Sequence, residues 1–189
     1  LLIVLARTAV AAGALGLVRL AVPSERRPFA LPLVANGAVL ALHWASFFAA
    51  IQASDVATGL LGFASFPLFT LLLERSPGRT PWSAHDAVVA GGVVAGLVLM
   101  VPEFSLSDRT VAGLLWGMLS GFTFALLAVL NRRHAVRRPA IDIAYWQNLC
   151  AALTLLPLAP GVLADAPAVS GRDLALLLVY DNLASLPAA

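Results

Sequence analysis

The stretch GFASFPLFTLLLER, Gly62 to Arg75, decides how this chain is read. It is apolar or small almost throughout, yet Pro67 sits in its middle and Glu74-Arg75 closes it. Proline inside a helix removes a backbone donor and frees the carbonyl four residues earlier, here near Phe63. Membrane helices tolerate such a break where a neighbouring helix or a cavity satisfies the freed group. The segment therefore makes sense if the whole chain is built for lipid.

Composition points the same way. Of 189 residues, 60% are hydrophobic and 12% are charged, and the mean hydropathy is +0.90. Soluble domains have about 45–50% apolar and about 25% charged residues. The 12 basic residues are all Arg. They are scattered between apolar runs without interleaved aromatics, so nucleic acid is excluded as the partner despite a pI of about 9.3. Cys150 is the single cysteine; it can form neither an internal disulfide nor a multi-Cys metal site, and reads as a small buried residue. No cofactor or metal is expected.

A helix needs about 20 apolar residues to cross a bilayer. Such runs fall at 1–22, 31–52, 56–73, 86–102, 111–131 and 144–163, and a seventh starts near Leu174 and is cut short. They are too long and too continuous for the alternating strands of a barrel. The expected fold class is thus an all-α membrane protein, a polytopic transmembrane helix bundle of six spans plus a partial seventh. Ser54 or Asp55 is placed to cap the third span, and Asp86 the fourth. The chain begins at Leu and shows no signal peptide, and we expect a fragment. The lipid bilayer is the first partner this implies.

Arginine placement sets the orientation. Arg19, Arg26, Arg27, Arg75, Arg79, Arg132, Arg133, Arg137 and Arg138 flank alternate breaks, whereas only Arg109 and Arg172 flank the others. Loops 23–30, 74–85 and 132–143 are therefore placed in the cytoplasm. Arg7 is left over, snorkelling or facing the protein interior.

Lipid supplies no hydrophobic force between helices, so small residues mark close contact. Gly113, Gly117 and Gly121 recur at i+4, as do Gly92 and Gly96. These faces read as helix contacts within the chain or as a homodimer surface. Polar stripes follow the helical period: Asn36, His43 and Ser46; Thr58, Gly62 and Ser65; Trp116, Ser120 and Thr123. Tyr145, Trp146, Gln147 and Asn148 cluster at the start of the sixth span. Ser and Thr commonly bond their own helix, and Tyr145 and Trp146 also fit an interfacial belt. His43 is the most informative, because a polar group at mid-span needs a partner. It reads either as a structural hydrogen bond or as part of a solute path.

The order of these features resembles the EamA-type transporters of the drug/metabolite transporter superfamily. LHWASFFAAIQASDVATGLLGFASFPLFTLLLER (42–75) is similar to that family's third and fourth helices, with Phe48-Ala49-Ala50, the turn Ser54-Asp55, Pro67 and Glu74-Arg75 at matching places. LARTAVAAGAL (5–15) resembles its second helix, AVVAGGVVAGLVLMV (87–101) its fifth, and GLLWGMLSGFTFALLAVLNRR (113–133) the opening helix of its second half. The resemblance implies a ten-helix fold of two inverted repeats. Residues 1–102 would be the first repeat without its opening helix, and 111–189 the second, cut after its second helix. RTAVAA (7–12) and QNLCAA (147–152) give a weak internal echo.

That resemblance implies a secondary transporter or exporter of small-molecule solutes, in the inner (cytoplasmic) membrane, working by alternating access. Interrupted helices often line the substrate site of repeat-built transporters. The expected substrate-binding residues are Asn36, His43, Trp44, Ser65, Pro67 and Trp116. Pro67 also reads as a packing kink. Glu74 lies at a helix C-terminus, where the dipole disfavours a carboxylate; either a partner such as Arg75 or Arg79 holds it, or it caps an adjoining helix end at the cytoplasmic face. No GxxxxGK[ST] loop supports ATP coupling. A membrane scaffold or half-module is the alternative, and an intramembrane lipid-modifying enzyme a further one. The latter lacks HExxH, GxSxG or paired carboxylates, so no catalytic residue is assigned.

Overall fold

A computed structural model describes residues 2–21, 30–74, 83–100, 109–160 and 172. Its helices are α1 (Leu2–Ala21), α2 (Pro32–Ala53), α3 (Val56–Phe63), α4 (Phe66–Glu74), α5 (Ala84–Met100), α6 (Arg109–Ala135) and α7 (Ala140–Leu155), followed by a 3-10 turn at Leu156–Leu158. No strand occurs among the described residues. The partial seventh span, and the loop arginines Arg26, Arg27, Arg75 and Arg79, lie outside the described residues.

Among the described residues, four stretches are long and apolar enough to cross a membrane: Leu2–Ala21, Pro32–Ala53, Val56–Glu74 and Arg109–Ala135. The two other expected spans form shorter helices, α5 and α7. Many large apolar side chains are exposed, and several polar ones are buried beside an apolar core that includes Val4, Leu33, Val111 and Leu114. Leu17, Leu20, Val88, Leu99 and Leu115 are exposed, whereas Thr8, Asn36, His43, Thr58, Ser120 and Asp142 are buried. Exposed large apolar side chains together with buried polar ones suit a chain surrounded by lipid.

Contacts divide the chain into two units, Leu1–Ala41 with His134–Ala189, and Leu42–Arg133. This partition cuts through α2.

Within the Leu42–Arg133 unit, the 56–73 span is two helices rather than one kinked helix. The Ala64 amide donates to the Leu60 and Leu61 carbonyls, and the Ser65 amide to Gly62, tightening the last turn of α3. The Ser65 hydroxyl donates to the Gly62 carbonyl at 2.7 Å. The Ser65 carbonyl then opens α4, accepting from Leu68 and Phe69. Pro67 stands in the first turn of α4, where a missing amide costs nothing. The same missing amide deprives the Phe63 carbonyl of its i+4 donor. That carbonyl faces α6, where a Cβ on Gly121 would lie 2.9 Å from it.

The caps are specific. Asp55 is the N-cap of α3: its carboxylate accepts from the Thr58 amide at 2.9 Å and from the Thr58 hydroxyl at 2.8 Å. These bonds, the backbone one first, hold Asp55 below its ordinary pKa of 3.8. A lowered carboxylate stabilises the fold fully above that ordinary value and loses its contribution as pH falls through the folded-state value. Protection of the Thr58 amide, measured against its intrinsic exchange rate at each pH, should therefore fall only in acid, whereas Asp55→Ala should lower it at neutral pH. An unchanged exchange rate in that variant would remove Asp55 as the cap. At α5 the assignment shifts by three residues. The Asp86 amide donates to the Ser83 hydroxyl at 3.1 Å, and the Ser83 amide donates to the Asp86 carboxylate at 2.9 Å. Ser83 is the cap and Asp86 the reciprocal partner of a capping box.

Glu74 pairs with Arg132 of α6 at 2.9 Å. The partner is thus supplied by another helix, and both side chains are solvent-accessible, so the pair contributes little. Arg109 donates to the Ala53 carbonyl at 3.2 Å, closing the C-terminus of α2.

Candidate functional site

In the Leu42–Arg133 unit, glycine brings α3 and α6 together backbone to backbone. A Cβ on Gly117 would meet the Gly59 carbonyl oxygen at 2.6 Å, and one on Gly62 the Leu114 carbonyl oxygen at 2.6 Å. The Gly113/Gly117/Gly121 face is therefore a contact within the chain. Gly92 and Gly96 of α5 differ: a Cβ there would meet nothing within 4 Å.

This close approach sets the neighbourhood of His43. Its Nδ1 lies 3.0 Å from the Ser120 carbonyl oxygen and 2.9 Å from the Ser120 hydroxyl. A carbonyl only accepts, so Nδ1 carries the proton and donates. The Ser120 hydroxyl then donates to the His43 carbonyl at 3.2 Å. Thr123 adds a second donor to the Ser120 carbonyl at 2.9 Å. The imidazole thus ties α2 to α6. Its ring is packed among aromatics: centroids lie 5.0 Å from Trp44, 5.7 Å from Phe63 and 5.3 Å from Phe124. Phe63 stacks on Phe66 at 5.4 Å, across the α3/α4 break.

The structure brings together His43, Trp44 and the interrupted helix carrying Ser65 and Pro67. Ser65 is buried and spends its hydroxyl on the Gly62 carbonyl. Asn36 is buried in the other unit. Trp116 is 44% exposed and stands apart from its stripe partners Ser120 and Thr123, which are buried. The Ser46 hydroxyl bonds its own helix, at the Leu42 and His43 carbonyls.

The unit of Leu1–Ala41 with His134–Ala189 holds a cluster that sequence reasoning missed. The Asp142 carboxylate on α7 is 0% exposed and accepts from the Arg19 guanidinium on α1. That guanidinium also lies over Tyr145 at 5.1 Å and Trp146 at 5.5 Å, a cation–π arrangement. A Cβ on Gly16 would lie 3.2 Å from Tyr145, so glycine admits the ring against α1. Counting arginines by loop treats Arg19 as a flanking charge, and Asp142 falls in the adjoining 132–143 loop on the same side. Their opposite signs at ends assigned to one side of the membrane were the available signal. In the same unit Cys150 is buried, as expected, and fills the space left by Gly37, whose Cβ would lie 2.3 Å from it. No group of residues able to hold a metal ion is found among the described residues.

No protein-family model matches this sequence, and no curated protein does. A crystal structure of a longer protein is similar in fold, with a TM-score of 0.66 at 24% sequence identity over 95% of this chain. The chain spans 63% of that protein's length.

Proposed function

We propose that this chain belongs to a secondary transporter of small organic solutes, of the EamA type, in the cytoplasmic membrane. In this reading six spans and a partial seventh belong to a ten-helix, two-repeat fold, and solute passes by alternating access. The observation that carries it is the helix interrupted at Ala64–Ser65 beside the buried His43–Ser120 pair. Broken helices and intramembrane ionisable groups both cost stability, and both recur where a solute path is built. Trp44 and Phe63 give this place flat apolar walls, and His43 offers a polar edge. Asn36 and Trp116 complete the set of solute contacts in this reading.

Counterflow in proteoliposomes of the full-length protein tests the reading, with labelled amino acids and purine bases as probes. At least one probe should exchange. His43→Ala should lower flux per folded molecule roughly tenfold, the effect of about 1.4 kcal/mol. Flux of none of the probes would overturn the transport reading. Unchanged flux in the variant would make His43 a purely structural tie between α2 and α6.

A further inference from the structure

We infer that a groove between the start of α2 and one side of α7 holds an acyl chain of an anionic phospholipid, with the lipid phosphate at the arginines that precede α7. The groove has a volume of about 410 Å³ and is lined by Val34, Trp146, Leu149, Cys150, Leu153 and Thr154. All six belong to the unit of Leu1–Ala41 with His134–Ala189. The Thr154 hydroxyl donates to the Cys150 carbonyl of its own helix at 2.7 Å, and the Trp146 indole nitrogen is buried. The lining thus has almost no hydrogen bond to offer, and it suits an apolar occupant. Its floor is Cys150, which is buried where Gly37 brings α2 against it. Its rims are Val34 and Leu153, 39% and 56% exposed. Trp146 is a fixed wall: Tyr145 meets it edge-on at 5.0 Å and the Arg19 guanidinium lies over its ring at 5.5 Å. For a chain set in a bilayer, what enters such a groove from the side is lipid.

Charge and length select the kind of lipid. Arg137 and Arg138 immediately precede Pro139 and the first turn of α7, and Arg137 is exposed. The positive end of the helix adds to them. Asp142, the acid of that turn, is buried against Arg19 and does not face an incoming phosphate as a bare charge. From Ala140 to Thr154 α7 rises about 21 Å, at about 1.5 Å per residue. One leaflet with its headgroups measures about 20–22 Å, half of a bilayer. The lining side chains begin about 9 Å along the helix, at Trp146. A phosphate at the arginines and a chain beside Trp146, Leu149 and Leu153 therefore stand at the depths that a single lipid gives them. Basic groups beside helices at the cytoplasmic face recognise anionic lipid in this way.

The inference rests on the chain's lying in lipid and not on transport, and its test contains no solute. The probe is phosphatidylglycerol carrying a diazirine on its acyl chain, present as a minor component of phosphatidylcholine nanodiscs that hold the full-length protein. On illumination, label per residue on 146–154 should exceed that on the exposed Val88–Leu99 stretch of α5 by about fivefold or more, the equivalent of about 1 kcal/mol for one arginine near an anionic surface. Phosphatidylcholine with the same diazirine should not show this enrichment. Arg137→Gln should lower the enrichment about fivefold. Leu153→Trp, which fills the groove from its rim, should bring label there down to the level of α5 and leave α5 unchanged. Equal label on the groove and on α5 in the unsubstituted protein would mean bulk lipid only and would overturn the proposal. So would equal enrichment with the two headgroups, or enrichment that survives both variants. If Leu153→Cys in a Cys150→Ala background joins two copies by a disulfide while the groove stays unlabelled, a second copy fills it and the lipid assignment is wrong.

Discussion

Gly117→Leu should unfold the Leu42–Arg133 unit or leave it at a small fraction of its normal yield. The reason is geometric. The first atom of any side chain at this position would meet the Gly59 carbonyl oxygen at 2.6 Å and the Gly62 Cα at 3.0 Å. Both are backbone atoms, so no rotamer change relieves the clash. Overpacking commonly costs about 1–3 kcal/mol, more when the neighbour cannot yield, and whole-domain stability is only about 5–15 kcal/mol. Forcing α3 from α6 would also displace the α3/α4 break and the His43–Ser120 bond. Gly62→Ala should behave similarly, because its added methyl would meet the Leu114 carbonyl. Gly92→Ala is the contrast. A Cβ there meets nothing within 4 Å, and alanine gains roughly 0.5–1 kcal/mol over glycine within a helix. Unfolding midpoints in detergent would check all three. Equal behaviour of Gly117→Leu and Gly92→Leu would show that α3 and α6 do not touch through backbone.

Much of this was legible in the sequence because its signals are local. The apolar runs at 1–22, 31–52 and 111–131 place α1, α2 and α6 to within a few residues, since a helix in lipid must be apolar along its length. The i+4 glycines of α6 mark a close approach, and the period of Asn36, His43 and Ser46 marks a buried face. Pro67 announces an interruption, although its exact form depends on the Ser65 hydroxyl and the Gly62 carbonyl. The remainder is relational. Nothing in the run containing Trp116 distinguishes an outward ring from an inward one, because the helix is apolar on all sides. Glu74 finds Arg132, and Arg19 finds Asp142, across many residues of chain. Counting arginines by loop treats each as a solvated charge, and that rule hides one that has been drawn into the protein.

Arg19 therefore makes the sharpest test of what its charge is for. Arg19→Ala should destabilise the unit containing α1 and α7 by about 3–5 kcal/mol near neutral pH, the range seen when one partner of a buried pair is removed. The cost lies in what remains. The Asp142 carboxylate stays buried with its charge less compensated, and Tyr145 and Trp146 lose the cation that packs on them. Asp142→Asn added to Arg19→Ala should recover most of the loss, since an amide has no charge to solvate. Acid should do the same, because protonation neutralises the carboxylate. The gap between Arg19→Ala and the unsubstituted protein should thus narrow as pH falls, whereas the double variant should show no such narrowing. If Arg19→Ala and the double variant are equally unstable at neutral pH, the loss comes from packing of the arginine stem and rings. Charge compensation would then be a minor part of what joins α1 to α7. Recovery in the double variant would assign the energy to the carboxylate instead.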